Sequence, residues 1–146
     1  MLKTPDNPKG TDQAIFDGAG AAMKADRAKF WAGFFKDFYG VGGPRPVSNE
    51  VLEWSRDLSM HASLKATLAC AGAFATTDFR PDLKAFTVPT LIIHGTADKT
   101  VPIDASARAA AAGIANGKLI EYDGGPHGLL ASHKARIIED VLRFVK

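Results

Sequence analysis

The sequence predicts an α/β chain: a helical region first, then a β-α-β-α run whose two strands lie parallel. Two patterns carry this expectation. Apolar residues over about 11–75 recur at helical spacings with little period-two alternation, and from Asp78 onward short apolar runs alternate with helix-favouring stretches. The division falls at 1–76 and 77–146. With 146 residues and 46% hydrophobic content, the chain can bury the core of one domain, which excludes a disordered tail.

In the first part, Asp26 can N-cap a helix whose Phe30, Trp31, Phe34, Phe35 and Phe38 form one wide aromatic face, ending at Gly40 in a Gly/Pro-rich loop. Ser48 precedes a second apolar series, Val51, Leu52, Ser55 and Leu58. Ser63 precedes a third, Leu64, Leu68 and Ala71, with Phe74 closing it. Faces of this kind cover either a core of their own or a substrate pocket. Cys70 falls inside the third helix and reads as a small core residue.

The second part opens on Val88-Pro-Thr-Leu-Ile-Ile-His94, a short apolar run bounded by Pro89 and Gly95, as expected of a strand buried on both faces. After Val101-Pro-Ile-Asp104, an alanine-rich stretch to about Ile114 favours helix because alanine loses no side-chain entropy there. Asn116 and Gly117 end it, and Lys118–Tyr122 reads as the next strand. The turn Gly124-Gly-Pro-His-Gly128 leads into an amphipathic helix carrying Ile137, Ile138, Val141, Leu142 and Val145.

Composition limits the function classes. Eighteen basic and sixteen acidic residues are interspersed, without the basic run that a nucleic-acid backbone attracts. No window approaches the ~20 continuous apolar residues of a membrane span, and residues 1–10 have no apolar core of a signal peptide. The single cysteine rules out an internal disulfide and fits a reducing, cytoplasmic compartment.

Chemistry concentrates on two turns. Loops leaving the carboxyl ends of parallel strands gather on one edge of the sheet, where such folds hold ligands. Asp98 and His127 both sit on such loops, so they can meet if the strands are neighbours. A carboxylate bonded to an imidazole fixes its tautomer and stabilises the imidazolium formed when the ring takes a proton. Glycines around His127 allow that turn positive φ angles. Of the other histidines, His94 ends a strand and is expected to bond to backbone, whereas His61 and His133 lie in helical segments and are expected to be solvated or capping. A metal site from His94, Asp98 and His127 lacks an ordered ligand motif such as H-E-x-x-H, and none is expected.

HGTADKTVP at 94–102 and GGPHG at 124–128 resemble the acid and histidine turns of α/β-hydrolases. TDFRPDLKAFTVPTLIIHG at 77–95 and the opening LKTPDNPKG are similar to the bacterial cofactor-free haloperoxidase and arylesterase (perhydrolase) group, so the resemblance covers nearly the whole chain. It implies a partial α/β-hydrolase fold, with a helical cap in the first part, the last two strands of the sheet at 88–94 and 118–122, and the closing helix at 133–145. It also implies Asp98 as catalytic acid, His127 as catalytic histidine, and cap aromatics Phe30, Phe34 and Phe38 with Val101 shaping a substrate pocket. Enzymes of this group hydrolyse small or aryl esters through an acyl-serine. With hydrogen peroxide they make peracids that oxidise halide, and they use no haem, metal or other cofactor.

The nucleophile departs from that pattern. Serines 48, 55, 59, 63, 106 and 132 all lack the Gly-x-Ser-x-Gly frame of the strand-to-helix elbow. The expected function is therefore the C-terminal part of a serine esterase or perhydrolase, inactive without an N-terminal half that brings the serine. The alternative is a catalytically inert truncated fragment that folds and self-associates. A binding module using an apolar groove of the cap has only the aromatics behind it. The strand at 88–94 has a single strand partner in this sequence, and an open apolar edge invites association. The expected partners are another copy of the chain or an N-terminal hydrolase half, with a small ester or peracid substrate and neither nucleic acid nor membrane.

Overall fold

In a computed structural model the described residues are 2–44 and 47–146. Helices α1 (Gln13–Ala25), α2 (Arg27–Phe38), α3 (Asn49–His61) and α4 (Leu64–Thr76) come first. They are followed by strand β1 (Thr90–Gly95), helix α5 (Ala107–Gly113), strand β2 (Gly117–Tyr122), and helices α6 (Leu129–Ser132) and α7 (Lys134–Val145). Short 3-10 turns occupy Arg80–Ala85 and Ile103–Ala105. The chain divides into two compact units, Met1–Phe35 with Ser48–Asp78, and Lys36–Val47 with Phe79–Lys146. No helix among the described residues is long and apolar enough to cross a membrane.

The first unit is helical because its capping residues stand where the apolar periodicity starts. Ser48 Oγ accepts from Val51 N and Ser63 Oγ from Ala66 N, each at 3.4 Å, and Asp26 Oδ1 accepts from Lys29 N at 2.9 Å. Each bond satisfies one of the amides that a helix start leaves without an intrahelical partner. Arg27 performs the converse task at the end of α3, donating to Met60 O at 2.8 Å and Ala62 O at 2.7 Å. Helix α1 packs on α4, with Phe16 and Phe74 rings 6.4 Å apart. Met23, Phe35, Ser55 and Ala75 are buried.

Burial in this unit corrects two expectations. Cys70 lies in α4 as expected, but it is exposed rather than part of a core. At 100° per residue it points about 140° away from the buried Ala75. Leu58 and Phe74, the closing members of two apolar series, are 52% and 54% exposed.

The second unit is built on the parallel pair β1–β2, in register from Thr90 opposite Gly117 to Gly95 opposite Tyr122. Helix α5 makes the crossover that a parallel pair requires. Arg108 on α5 fastens it to β2 by a two-pronged contact with Glu121, at 2.8 and 2.7 Å. The core comprises Ile103, Ala107, Ile114, Tyr122 and Leu129. Strand β1 was expected to be buried on both faces, yet only Gly95 is buried and Thr90–His94 are half-buried. Among the described residues the sheet has two strands, so one edge of β1 lacks a strand partner. The apolar stripe of α7 is likewise partly uncovered, with Ile138 and Leu142 each 49% and Val145 68% exposed.

His133 departs from its expected solvation. It occupies the N-cap position of α7 without a side-chain capping bond, and it is buried rather than solvated. Its ring lies 5.5 Å from that of Tyr122, and its Nδ1 is 2.8 Å from Ser132 Oγ. His61, at the end of α3, is exposed as expected.

Candidate active site

The two turns singled out in the sequence leave the carboxyl ends of adjacent strands and stay together beyond them. Thr96 N donates to Tyr122 O at 2.9 Å and Ala97 N to Gly125 O at 3.0 Å. Gly95 is the point of closest approach: a Cβ there would lie 2.1 Å from Gly125 O and 2.8 Å from Pro126 O, both backbone atoms. Gly95→Ala must therefore drive the turns apart. We expect a loss of about 2–3 kcal/mol or more, read as a lower urea midpoint at unchanged slope. A variant as stable as the parent would contradict so close an approach.

Asp98 occupies the centre of this contact, its side chain only 2% exposed. Its Oδ1 accepts from Thr100 N and Val101 N, both at 2.8 Å. Its Oδ2 is 2.7 Å from His127 Nδ1 and 3.0 Å from His94 Nε2. Since a carboxylate only accepts, this bonding assigns the proton to His127 Nδ1 and leaves Nε2 with the lone pair. The His127 side chain is 33% exposed, and no described residue bonds its Nε2. Such an imidazole can take a proton at Nε2 while the carboxylate behind it balances the charge that appears.

Burial pushes the Asp98 carboxyl up, but the hydrogen bond from His127, the Val101 and Thr100 amides and the charge of His127 together hold it below the ordinary carboxylate value. A native value below the unfolded one means that this bonding contributes stability above the unfolded pKa and loses it as pH falls through the depressed native value. Urea midpoints should therefore drop in acid, and Asp98→Asn should flatten that part of the profile. An unchanged acid limb in the variant would assign the loss to other carboxylates.

The end of α2 and the loop after it supply the surroundings of His127 within the second unit. The Phe38 ring stands 4.8 Å from the imidazole at 61°, Gly128 N donates to Phe38 O at 2.8 Å, and Lys99 Nζ pairs with Asp37 Oδ1 at 3.2 Å. Gly40 takes φ +64° beside Pro126, where a Cβ would come within 2.9 Å of the ring.

Asp98, His127, Phe38 and Val101 are thus brought into one cluster, Val101 through its backbone. Phe30 and Phe34 belong to the first unit, where their rings stack at 5.8 Å and 23°. Sequence reasoning expected His94 to bond to backbone, and it does, at 2.9 Å from Val101 O. Its second contact, to Asp98 Oδ2, was missed. The i,i+4 spacing of His94 and Asp98 was a usable signal, because a strand end followed by a tight turn returns the chain on itself. Among the described residues no group of three or more His, Cys, Asp or Glu is placed to hold a metal ion.

The family model described as serine aminopeptidase S33 matches residues 48–133. The chain is 40% identical to a putative non-heme chloroperoxidase of Synechocystis sp., a match covering 100% of this chain and 53% of that protein. It is 37% identical to a bifunctional esterase/perhydrolase of Acinetobacter calcoaceticus, covering 100% and 54%. The crystal structure of a bromoperoxidase from Bacillus anthracis aligns with a TM-score of 0.91 at 40% identity, over 98% of this chain and 52% of that one. An esterase from Exiguobacterium antarcticum aligns at 0.88 and 26% identity, over 99% and 52%. The chain spans about half the length of the curated relatives it matches.

Proposed function

This chain belongs to the serine aminopeptidase S33 family of α/β-hydrolases, and from that premise we propose that it supplies the acid and the general base of a serine esterase or perhydrolase. The observation that carries the proposal is the 2.7 Å contact between His127 Nδ1 and the enclosed Asp98 Oδ2, with Nε2 left open. The relatives named chloroperoxidase, bromoperoxidase and esterase/perhydrolase support the substrate class.

In this reading His127 Nε2 removes the proton of a serine hydroxyl as its oxygen bonds to the ester carbonyl carbon. The tetrahedral intermediate then expels the alkoxide, which receives that proton from Nε2. Water repeats the sequence on the acyl-serine and releases the acid; hydrogen peroxide in its place releases a peracid. Asp98 stays ionised throughout and stabilises the imidazolium. Phe38 and Val101 border the site beside His127 and Asp98. Residues 1–76 serve as the cap and 77–146 as the end of the catalytic core.

The serine itself comes from an N-terminal α/β-hydrolase half carrying a Gly-x-Ser-x-Gly elbow, since none of this chain's serines has that frame. Several are committed locally: Ser48 and Ser63 cap helices, Ser106 Oγ donates to Pro102 O, and Ser132 Oγ lies beside His133 Nδ1. The open edge of β1 and the uncovered stripe of α7 are the surfaces such a half would cover.

Co-expression with the N-terminal half of a related non-heme chloroperoxidase tests this. Purified complex should hydrolyse a short-chain aryl ester, and a serine-directed inhibitor should stop it. An inert complex of verified mass would sink the proposal. It would favour the second reading, a folded fragment without catalysis, which the missing elbow motivates.

A further inference from the structure

We propose that His94 is a positioning residue for the Asp98–His127 pair, bracing the carboxylate and its turn at the oxygen that His127 also contacts. The inference rests on reading that pair as acid and base. Val101 O can only accept, so its 2.9 Å contact places a proton on His94 Nε2. The same nitrogen lies 3.0 Å from Asp98 Oδ2, a close polar contact beside the hydrogen bond to Val101. Asp98 therefore receives two backbone amides on Oδ1 and the His127 N–H on Oδ2, with His94 Nε2 in contact at that same oxygen. Three hydrogen bonds and this contact engage both carboxylate oxygens. Rotation about its terminal bond would break several of them at once.

His94 is well placed for this task. As the penultimate residue of β1 it is fixed by its parallel partner, Glu121 on β2, and its side chain is 15% exposed. It reaches across the turn to Val101, so one imidazole ties the strand end, the acid and the far side of the acid turn together. His127 approaches the same oxygen from the neighbouring turn, with Nε2 open. The two histidines thus contact one carboxylate oxygen but differ in role: His94, bonded to Val101 O, braces the acid turn, and His127 is the ring the acid orients.

The test is made by NMR on the full 146-residue chain, reading the imidazole nitrogens and the His127 Nδ1 proton. The parent should show His94 protonated at Nε2 and a downfield His127 Nδ1 proton. In His94→Phe that downfield signal should be lost while the amide shifts of β1 and β2 stay in place. His94→Gln, whose amide N–H can occupy the position of Nε2, should restore it. Persistence of the signal in His94→Phe would overturn the role of His94 while leaving the Asp98–His127 pair intact. A parent without the signal overturns the pair, and the assignment with it. If His94→Phe fails to fold, the parent spectrum decides, because a His94 Nε2 lacking a proton also overturns the proposal.

Discussion

Replacing His127 with alanine in the completed enzyme is expected to lower kcat on the order of 10⁶-fold, because in the proposed mechanism the serine then loses the group that takes its proton. Asp98→Asn should cost about 10⁴-fold for a different reason. An asparagine can turn its amide N–H toward His127 Nδ1, which favours the tautomer with the proton on Nε2, and that nitrogen can no longer accept from serine. Both losses should fall on kcat with little change in KM, since neither group is needed to hold the ester in its ground state. The checking measurement is aryl-ester turnover by the purified complex across pH, with single-turnover acylation to separate chemistry from product release. Retention of more than a tenth of the parent rate by His127→Ala would remove this histidine from the mechanism, and with it the role assigned to Asp98.

The local part of the architecture was legible in the sequence. Asp26, Ser48 and Ser63 each cap the helix that follows, because a cap is settled within three residues by the chain's own geometry. The two strands were legible from short apolar runs and their bounding glycines and prolines, and their parallel pairing from the helix between them. That pairing brings Asp98 and His127 together across 29 residues of sequence. What covers each face was not legible. Periodicity identifies the apolar side of a helix, but burial depends on what lies across from it. Hence Cys70 and Phe74 are exposed while His133, a polar residue in a helical stretch, is enclosed beside Tyr122. His94 illustrates a further limit. Its bond to Val101 follows from a strand end, whereas its contact with Asp98 depends on the curvature of one turn, which residue types alone do not specify.

The stability of that turn pair rests on Tyr122, and Tyr122→Ala is expected to be the most damaging core substitution. Tyr122 is fully buried, at the last position of β2, where its backbone oxygen accepts from both Thr96 N and Gly125 N at 2.9 Å. Its ring lies under the Arg136 guanidinium at 3.8 Å, and its hydroxyl donates to Asp140 Oδ2 at 2.6 Å. One side chain thus fastens α7 to the strand that carries the histidine turn. Truncation removes a buried aromatic ring and should cost about 3–5 kcal/mol, lowering Tm on the order of 10 °C for a chain of this length. Tyr122→Phe separates the hydroxyl from the ring. Losing one charge-assisted bond should cost about 1.5–3 kcal/mol and leave Asp140 to Arg136, whose Nε is 3.6 Å away. Burial first, and then the bond to Asp140, push the phenol up from 10.0 to about 12. A raised native value contributes stability that is complete below the unfolded pKa and disappears as pH climbs through about 12. The parent should therefore lose stability across that alkaline interval, and Tyr122→Phe, already lacking the contribution, should not. Urea melts at neutral pH and at pH 11 distinguish the cases. Parallel losses in both chains would mean that the hydroxyl contributes nothing to holding α7, leaving the ring and its cation to do so alone.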